Sequence, residues 1–377
     1  MKKQFLAGLL TVAMAISVMT ACGSTTTSTS SKDENANANA SSSSTTAASA
    51  EEQVSSTAAS VASSVVATTE AKAPKDGSDT YKVAFLPTDM SATFASWLAE
   101  ELTTAFKDYD DMELTIMDSK NELETQLTNM ETCVSQNYDY VVLLPIQPAA
   151  EDDIVSGYIE DGTPFMMINL DDFGCEKASS VIANPYDLGT VVAEEAKKDL
   201  PDDAKVVVLL GPSGNTDSTE RRRAYEDVLF SKTNITILDE QIGDWEKSKG
   251  MSYMENWIQK YGDDGIDAVI SMNDAMAIGA YEAAKDAGIA DKLLYFGVDG
   301  LADAAVSINE GGLTATALQD AQVMAEEGAR IVHEVLTGKN AEGFEKVQIP
   351  VTLITKDNVQ EYIKRYTDNG MLEAAKQ

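Results

Sequence analysis

The chain has 377 residues, with 62 acidic against 28 basic and a formal net charge of -34. That excess of carboxylates repels phosphate backbones, which excludes nucleic acid as a partner. A single histidine leaves no material for a His-based triad or a multi-His metal site, and neither a metal nor a cofactor is expected.

At the start, Lys2 and Lys3 precede an uncharged apolar run from Phe5 to Met19, followed by Thr20, Ala21 and Cys22. Basic, apolar and small residues in that order form a secretory signal, here residues 1–21. The run is shorter than the roughly 20 residues that span a bilayer, and no later segment approaches that length, so the mature protein is expected to have no transmembrane helix. Cys22, before Gly23 and Ser24, resembles the lipobox at which bacterial lipoproteins are cut and acylated, although Met19 stands where that motif usually has Leu. Lipidation of Cys22 would hold the protein on the outer face of the cell membrane, since two acyl chains suffice for stable anchoring. The alternative is an ordinary secreted protein with a free thiol. From Gly23 to about Ser78 the composition collapses to Ser, Thr, Ala and scattered charges. Such a segment buries too little apolar surface to offset chain entropy, and residues 22–78 read as a lipidated cysteine and a disordered tether.

From Tyr81 onward, short β-branched runs alternate with amphipathic helical stretches, the signature of βαβ units around parallel sheets and hence of an α/β fold. Strands are expected at 83–86, 114–117, 140–144, 165–168, 206–210, 236–242, 268–271 and 293–296. Helical periodicity marks 94–106, 123–134, 188–200, 251–261 and 276–287, with Gly288 and Gly311 as stops. Cys133 and Cys175 remain after acylation. The exterior permits a disulfide, but the spacing proves none, and two buried thiols are expected. His333, in a helical stretch, reads as structural.

In open α/β sheets ligands lie outside the carboxyl ends of the strands, so the residues following each strand carry the information. Here they include Phe94, Asn169, Arg221, Trp245, Asn273, Asp299 and Gln319. Carboxylates and amides grip vicinal hydroxyls through paired hydrogen bonds, Arg donates in a fixed fork, and aromatic faces cover the C–H faces of a sugar ring. Singly, each has a plainer reading. Asp274 caps the helix of Met276, Asp299 caps the helix after Leu301, Phe94 and Trp245 are core, and Asn169 and Gln319 are loop polar groups. The stretch from Leu210 to Tyr225 invites a phosphate-loop reading but lacks the Gly-Lys-Ser/Thr ending.

Four segments carry a resemblance: SMNDAMAIGAYEAAKDAG from Ser271, YFGVDGLADA from Tyr295, LTATALQDA from Leu313 and IPVTLITKDNV from Ile349. In that order they resemble the periplasmic sugar-binding proteins of type I fold, in particular the galactose/glucose-binding branch and more distantly the ribose branch, over roughly Lys82 to Tyr362. The resemblance implies two Rossmann-like lobes joined by three crossings: one of about 81–185 plus 320–345, the other of about 186–319 plus 346–366. It places Phe94 and Trp245 as opposite walls of a sugar slot. Asn169, Arg221, Asn273 and Asp299 form the hydrogen-bonding set, with Asp217 and Gln319 at further contact positions. Departures concern the sugar's identity. Ala92 stands where the galactose/glucose branch has an acid, Asn215 where it has His, Gln319 where it has Asn, and Leu170 where the ribose branch has Arg. A calcium loop is not discernible near 198–205.

The implied function is capture of a monosaccharide between the lobes by a monomer and delivery to an ABC importer permease, with no catalysis. The membrane is met only through the lipid anchor. A surface lipoprotein reporting sugar to a sensor kinase or chemoreceptor would have the same sequence features. An enzyme would need a nucleophile or acid/base pair that nothing here marks. A ligand-responsive transcription regulator would need a basic helix-turn-helix ahead of Tyr81.

Overall fold

A computed structural model describes residues 80–170 and 174–373. The export signal, Cys22 and the tether lie outside the described residues. Two six-stranded sheets organise the rest. The first is built from β1 (Tyr81–Leu86), β2 (Met112–Ile116), β3 (Tyr140–Leu143), β4 (Phe165–Ile168) and β5 (Ser179–Ile182), in the order β5-β4-β3-β1-β2. The second repeats that pattern with β6 (Lys205–Leu210), β7 (Thr236–Ile242), β8 (Ala268–Ser271), β9 (Leu294–Asp299) and β10 (Ala315–Leu318), ordered β10-β9-β8-β6-β7. All these pairings are parallel, for example Val83 opposite Tyr140 and Val206 opposite Ala268.

Central strands such as YKVAFL and AVIS are buried on both faces, which is why they read as apolar runs without alternation. Helices cover both faces: α1 (Thr93–Ala105), α2 (Leu123–Ser135), α3 (Pro148–Glu160), α4 (Pro185–Asp199), α5 (Thr216–Val228), α6 (Lys247–Tyr261), α7 (Asp274–Asp286), α8 (Ala302–Glu310) and α9 (Ala321–Leu336). Local chemistry sets their ends. Asn184 accepts from the Tyr186 and Asp187 amides at the start of α4, with Pro185 in the first turn, and α8 stops at Gly311 with φ +85.

The chain crosses between the lobes after β5, after β10, and again between β11 (Lys346–Gln348) and β12 (Thr352–Thr355). β11 pairs in parallel with β5, β12 antiparallel with β10, and α10 (Val359–Asp368) follows. The last crossing therefore falls after Gln348, slightly beyond the expected boundary at 345, because Lys346 to Gln348 complete the edge of the first sheet. Cys133 and Cys175 are free thiols, 0% and 6% exposed, and burial pushes the Cys133 thiol up to about 12. No helix among the described residues is long and apolar enough to cross a membrane.

Candidate ligand-binding site

Because β1 to β5 run parallel in the first sheet and β6 to β10 in the second, their carboxyl ends gather on one side of each lobe, and the loops that follow them enclose an inner cavity of about 90 Å³. All eight residues singled out from the sequence line it: Phe94 from α1, Asn169 after β4, Asp217 and Arg221 from α5, Trp245 after β7, Asn273 after β8, Asp299 at the end of β9, and Gln319 after β10. The cavity opens into a wider cleft of about 1230 Å³, and Thr88, Pro145, Asn215 and Trp245 line both.

Arg221 is the hub. Its Nη1 donates to the Met272 carbonyl at 2.7 Å and its Nη2 to Gln319 Oε1 at 2.6 Å, which fixes the fork. Its guanidinium stands 5.7 Å from the Trp245 ring centroid. The Trp245 indole lies over Gly211, where a Cβ would collide with the ring, so only glycine fits beneath it. Asn169 donates from Nδ2 to Asp217 Oδ2 at 2.9 Å, linking a loop of the first lobe to a helix of the second. Phe94 meets Trp97 edge to face at 6.2 Å.

Two expectations about caps change. Asn273, not Asp274, caps α7, accepting from the Met276 amide at 3.0 Å. Asp274 is instead fully buried and reaches across to accept the Leu301 amide at 2.9 Å. Nor does Asp299 cap α8, whose start at Leu301 has no side-chain cap. The carboxylate at the start of α7 thus satisfies the Leu301 amide and leaves Asp299 facing the cavity. The close approach is possible because Gly297 has no Cβ, which would overlap Asp274 Oδ1.

The electrostatics follow from burial. Burial raises the Asp299 carboxyl to about 7, the Arg221 charge opposing and the Asp217 charge adding to the shift. Asp274 is pushed well above the carboxylate range by burial first and by the charge of Asp299 second. Asp217 is also raised by burial, against the pull of Arg221 and the hydrogen bond from Asn169. Asn169 Oδ1 and Arg221 Nε are buried and have no partner among the described residues. Backbone strain collects here too, with φ of +64 at Asn169, +65 at Trp245 and +125 at Asp299. Orphaned donors and acceptors with strained residues around a cavity are what a preformed ligand site presents before its ligand supplies the missing bonds.

Sequence reasoning overlooked Gln126 and Glu151, both fully buried, and Tyr366, which donates to the Gly300 carbonyl beside Asp299. Gln126 and Glu151 hold the loop after β3 against the cavity.

The comparisons with known proteins agree with this architecture. Residues 83–340 match the profile of the periplasmic binding protein domain. A putative rhizopine-binding protein from Rhizobium meliloti is 29% identical over 279 residues, covering 71% of this chain and 88% of the relative. A ribose import binding protein from Bacillus subtilis is 27% identical, over 65% of this chain and 78% of its own. Among solved structures, an ABC transporter solute binding protein from Bacillus halodurans with bound myo-inositol superposes with a TM-score of 0.72 at 24% identity, covering 78% of this chain and all of that one. The relatives are binding proteins, not enzymes, and the two-sheet topology is that of the type I fold. The chain belongs to the periplasmic binding protein domain family.

Proposed function

We propose that this protein captures a monosaccharide or closely related small polyol, galactose/glucose-like in its ring contacts, between its two lobes and delivers it to an ABC importer. The carrying observation is the convergence of eight polar and aromatic residues from both lobes on one cavity that retains unpartnered Asn169 Oδ1 and Arg221 Nε. Relatives named for rhizopine, xylitol, ribose and galactose binding support the ligand class. Contacts from both lobes favour the closed form by differential affinity, and closure is the signal a permease reads. Cys22 carries the lipid anchor in this reading. Cys22→Ala should release the protein into the medium.

The deciding experiment is a thermal-shift screen of the purified chain against pentoses, hexoses and cyclic polyols, with calorimetry on the hits. At a ligand concentration 100 times the Kd, stability should rise by about 2.7 kcal/mol. A panel in which no sugar or polyol moves the melting point sinks the proposal. The rival sensing role shares the capture step and is separated from import by uptake of labelled ligand in cells lacking the gene.

A further inference from the structure

The second lobe lines the cavity with Asp217, Arg221, Asn273 and Asp299, whereas the first lobe offers Thr88, Thr93 and Asn169 and, beside them, an apolar wall of Leu144, Pro145, Pro148 and Leu170. Apolar side chains alone would not decide the matter, because backbone amides can serve a ligand just as well. Between residues 144 and 148, however, every amide is spent or missing. Leu144 donates to the Leu86 carbonyl at 3.1 Å, Ile146 to Gln126 Oε1 at 2.9 Å and Gln147 to Glu151 Oε2 at 3.2 Å, and the two prolines have no N–H. The Leu144 carbonyl is also engaged, accepting from Gln126 Nε2 at 3.0 Å. Two buried polar side chains, Gln126 and Glu151, thus take up the Ile146 and Gln147 N–H groups. What remains between residues 144 and 148 is a surface of apolar side chains with no free N–H.

We infer that the ligand carries a hydroxyl-free edge, as in a deoxy or O-alkylated sugar or polyol, and packs that edge against Leu144, Pro145, Pro148 and Leu170. The inference rests on the polyol-capture reading and narrows it. A hydroxyl pressed against this wall would lose its water and find no donor, whereas a methyl or methylene group gains from burial.

The test is calorimetry of the full chain with matched pairs differing at one position: D-galactose and D-fucose, D-glucose and 6-deoxy-D-glucose, myo-inositol and a mono-O-methyl inositol. In at least one pair the hydroxyl-free member should bind at least tenfold more tightly, the order of loss expected from an unmatched buried hydroxyl. A smaller preference, or none, in every pair overturns the inference while leaving polyol capture standing. Absence of binding by all six compounds overturns the inference, and polyol capture falls with it only if the pentose, hexose and cyclic-polyol screen is blank as well. Leu170→Asn, which offers an amide to the same edge, should cut the preference by about tenfold, and a folded variant with unchanged preference counts against the wall. If that variant fails to fold, Ala92→Asn at a half-buried position introduces the amide from the same lobe, with the same outcomes deciding.

Discussion

The guanidinium of Arg221 stands 3.6 Å from the carboxylate of Asp299, with both side chains under 5% exposed, near enough for charge attraction and too far for a direct hydrogen bond. Arg221 is held in place by Met272 and Gln319 instead, so the Asp299 carboxylate, which takes the Asp274 amide, keeps its remaining acceptor capacity for a ligand. Asp299→Ala should therefore weaken binding by about two to four orders of magnitude, since charge-assisted hydrogen bonds contribute roughly 1.5 to 3 kcal/mol each and two hydroxyls can be held. Folding should survive, because burial already disfavours the charged carboxylate. Calorimetry with the hit from the ligand screen decides, and wild-type affinity in this variant removes Asp299 from the site.

Trp245 separates a slot residue from a core residue. It is half-buried, held with φ +65 and laid over Gly211. Trp245→Ala should lose affinity with little change in melting point, whereas truncating a core tryptophan costs about 3 to 5 kcal/mol of stability. Gly211→Ala tests the same ring from below. The added methyl would collide with the indole and displace it, so affinity should fall by roughly tenfold or more with no ligand contact altered by identity. A Gly211→Ala protein that binds as wild type does would show that the ring's position is not needed.

Much of this fold is legible in the sequence because the buried strands are β-branched runs and parallel sheets direct their functional residues to one end. Val206 to Leu210 and Ala268 to Ser271 announce themselves. By contrast, β5 reads SSVI and β11 is three residues long, so neither carries a pattern, and α5 is so polar that its buried face is only Ser218, Arg221, Ala224 and Tyr225. Within the site, polar strand-end residues stand out, while Leu144, Pro145 and Leu170 do not, since an apolar residue after a strand looks like core. Gln126 is hidden for another reason. Its partner at the Leu86 carbonyl lies 40 residues away in sequence, a contact that no local spacing encodes.

The buried carboxyls set a pH dependence whose sign can be worked out. Asp299, at about 7, and Asp274, raised by burial and by the charge of Asp299, lie above the roughly 3.9 of an unfolded Asp, so the folded state binds protons that the unfolded state does not. Their contribution to stability is smallest above about 7, grows as pH falls through the folded value, and levels off near 4. The ligand-free protein should gain melting temperature between pH 8 and pH 5, and Asp274→Asn should gain less. Affinity should move the opposite way. A hydroxyl donates best to an ionised Asp299, so Kd should rise on acidification, by at most tenfold per pH unit below about 7. A Kd flat from pH 8 to 5 would mean that the bound ligand does not use the ionised carboxylate.

Tyr366 offers a test of positioning from a residue outside the cavity lining. It is fully buried on α10, donates to the Gly300 carbonyl, and packs edge to face on Trp97 at 6.1 Å, which in turn meets Phe94. Gly300 follows Asp299, whose φ of +125 persists only where its surroundings hold it, and Tyr366 grips the turn from the side opposite Thr316, which accepts the Gly300 amide. Tyr366→Phe keeps the ring and its packing but leaves the carbonyl without its donor. That should cost about 1 to 3 kcal/mol of stability and, if the turn relaxes, several-fold in affinity. Tyr140→Phe is the matched control. Tyr140 is equally buried and donates to Ser179 Oγ at 2.9 Å, but it begins β3 at the end of the sheet away from the cavity. Both variants should melt lower, and only Tyr366→Phe should bind more weakly. If the two lose stability alike and neither changes Kd, Tyr366 is a core residue and the Asp299 turn holds itself.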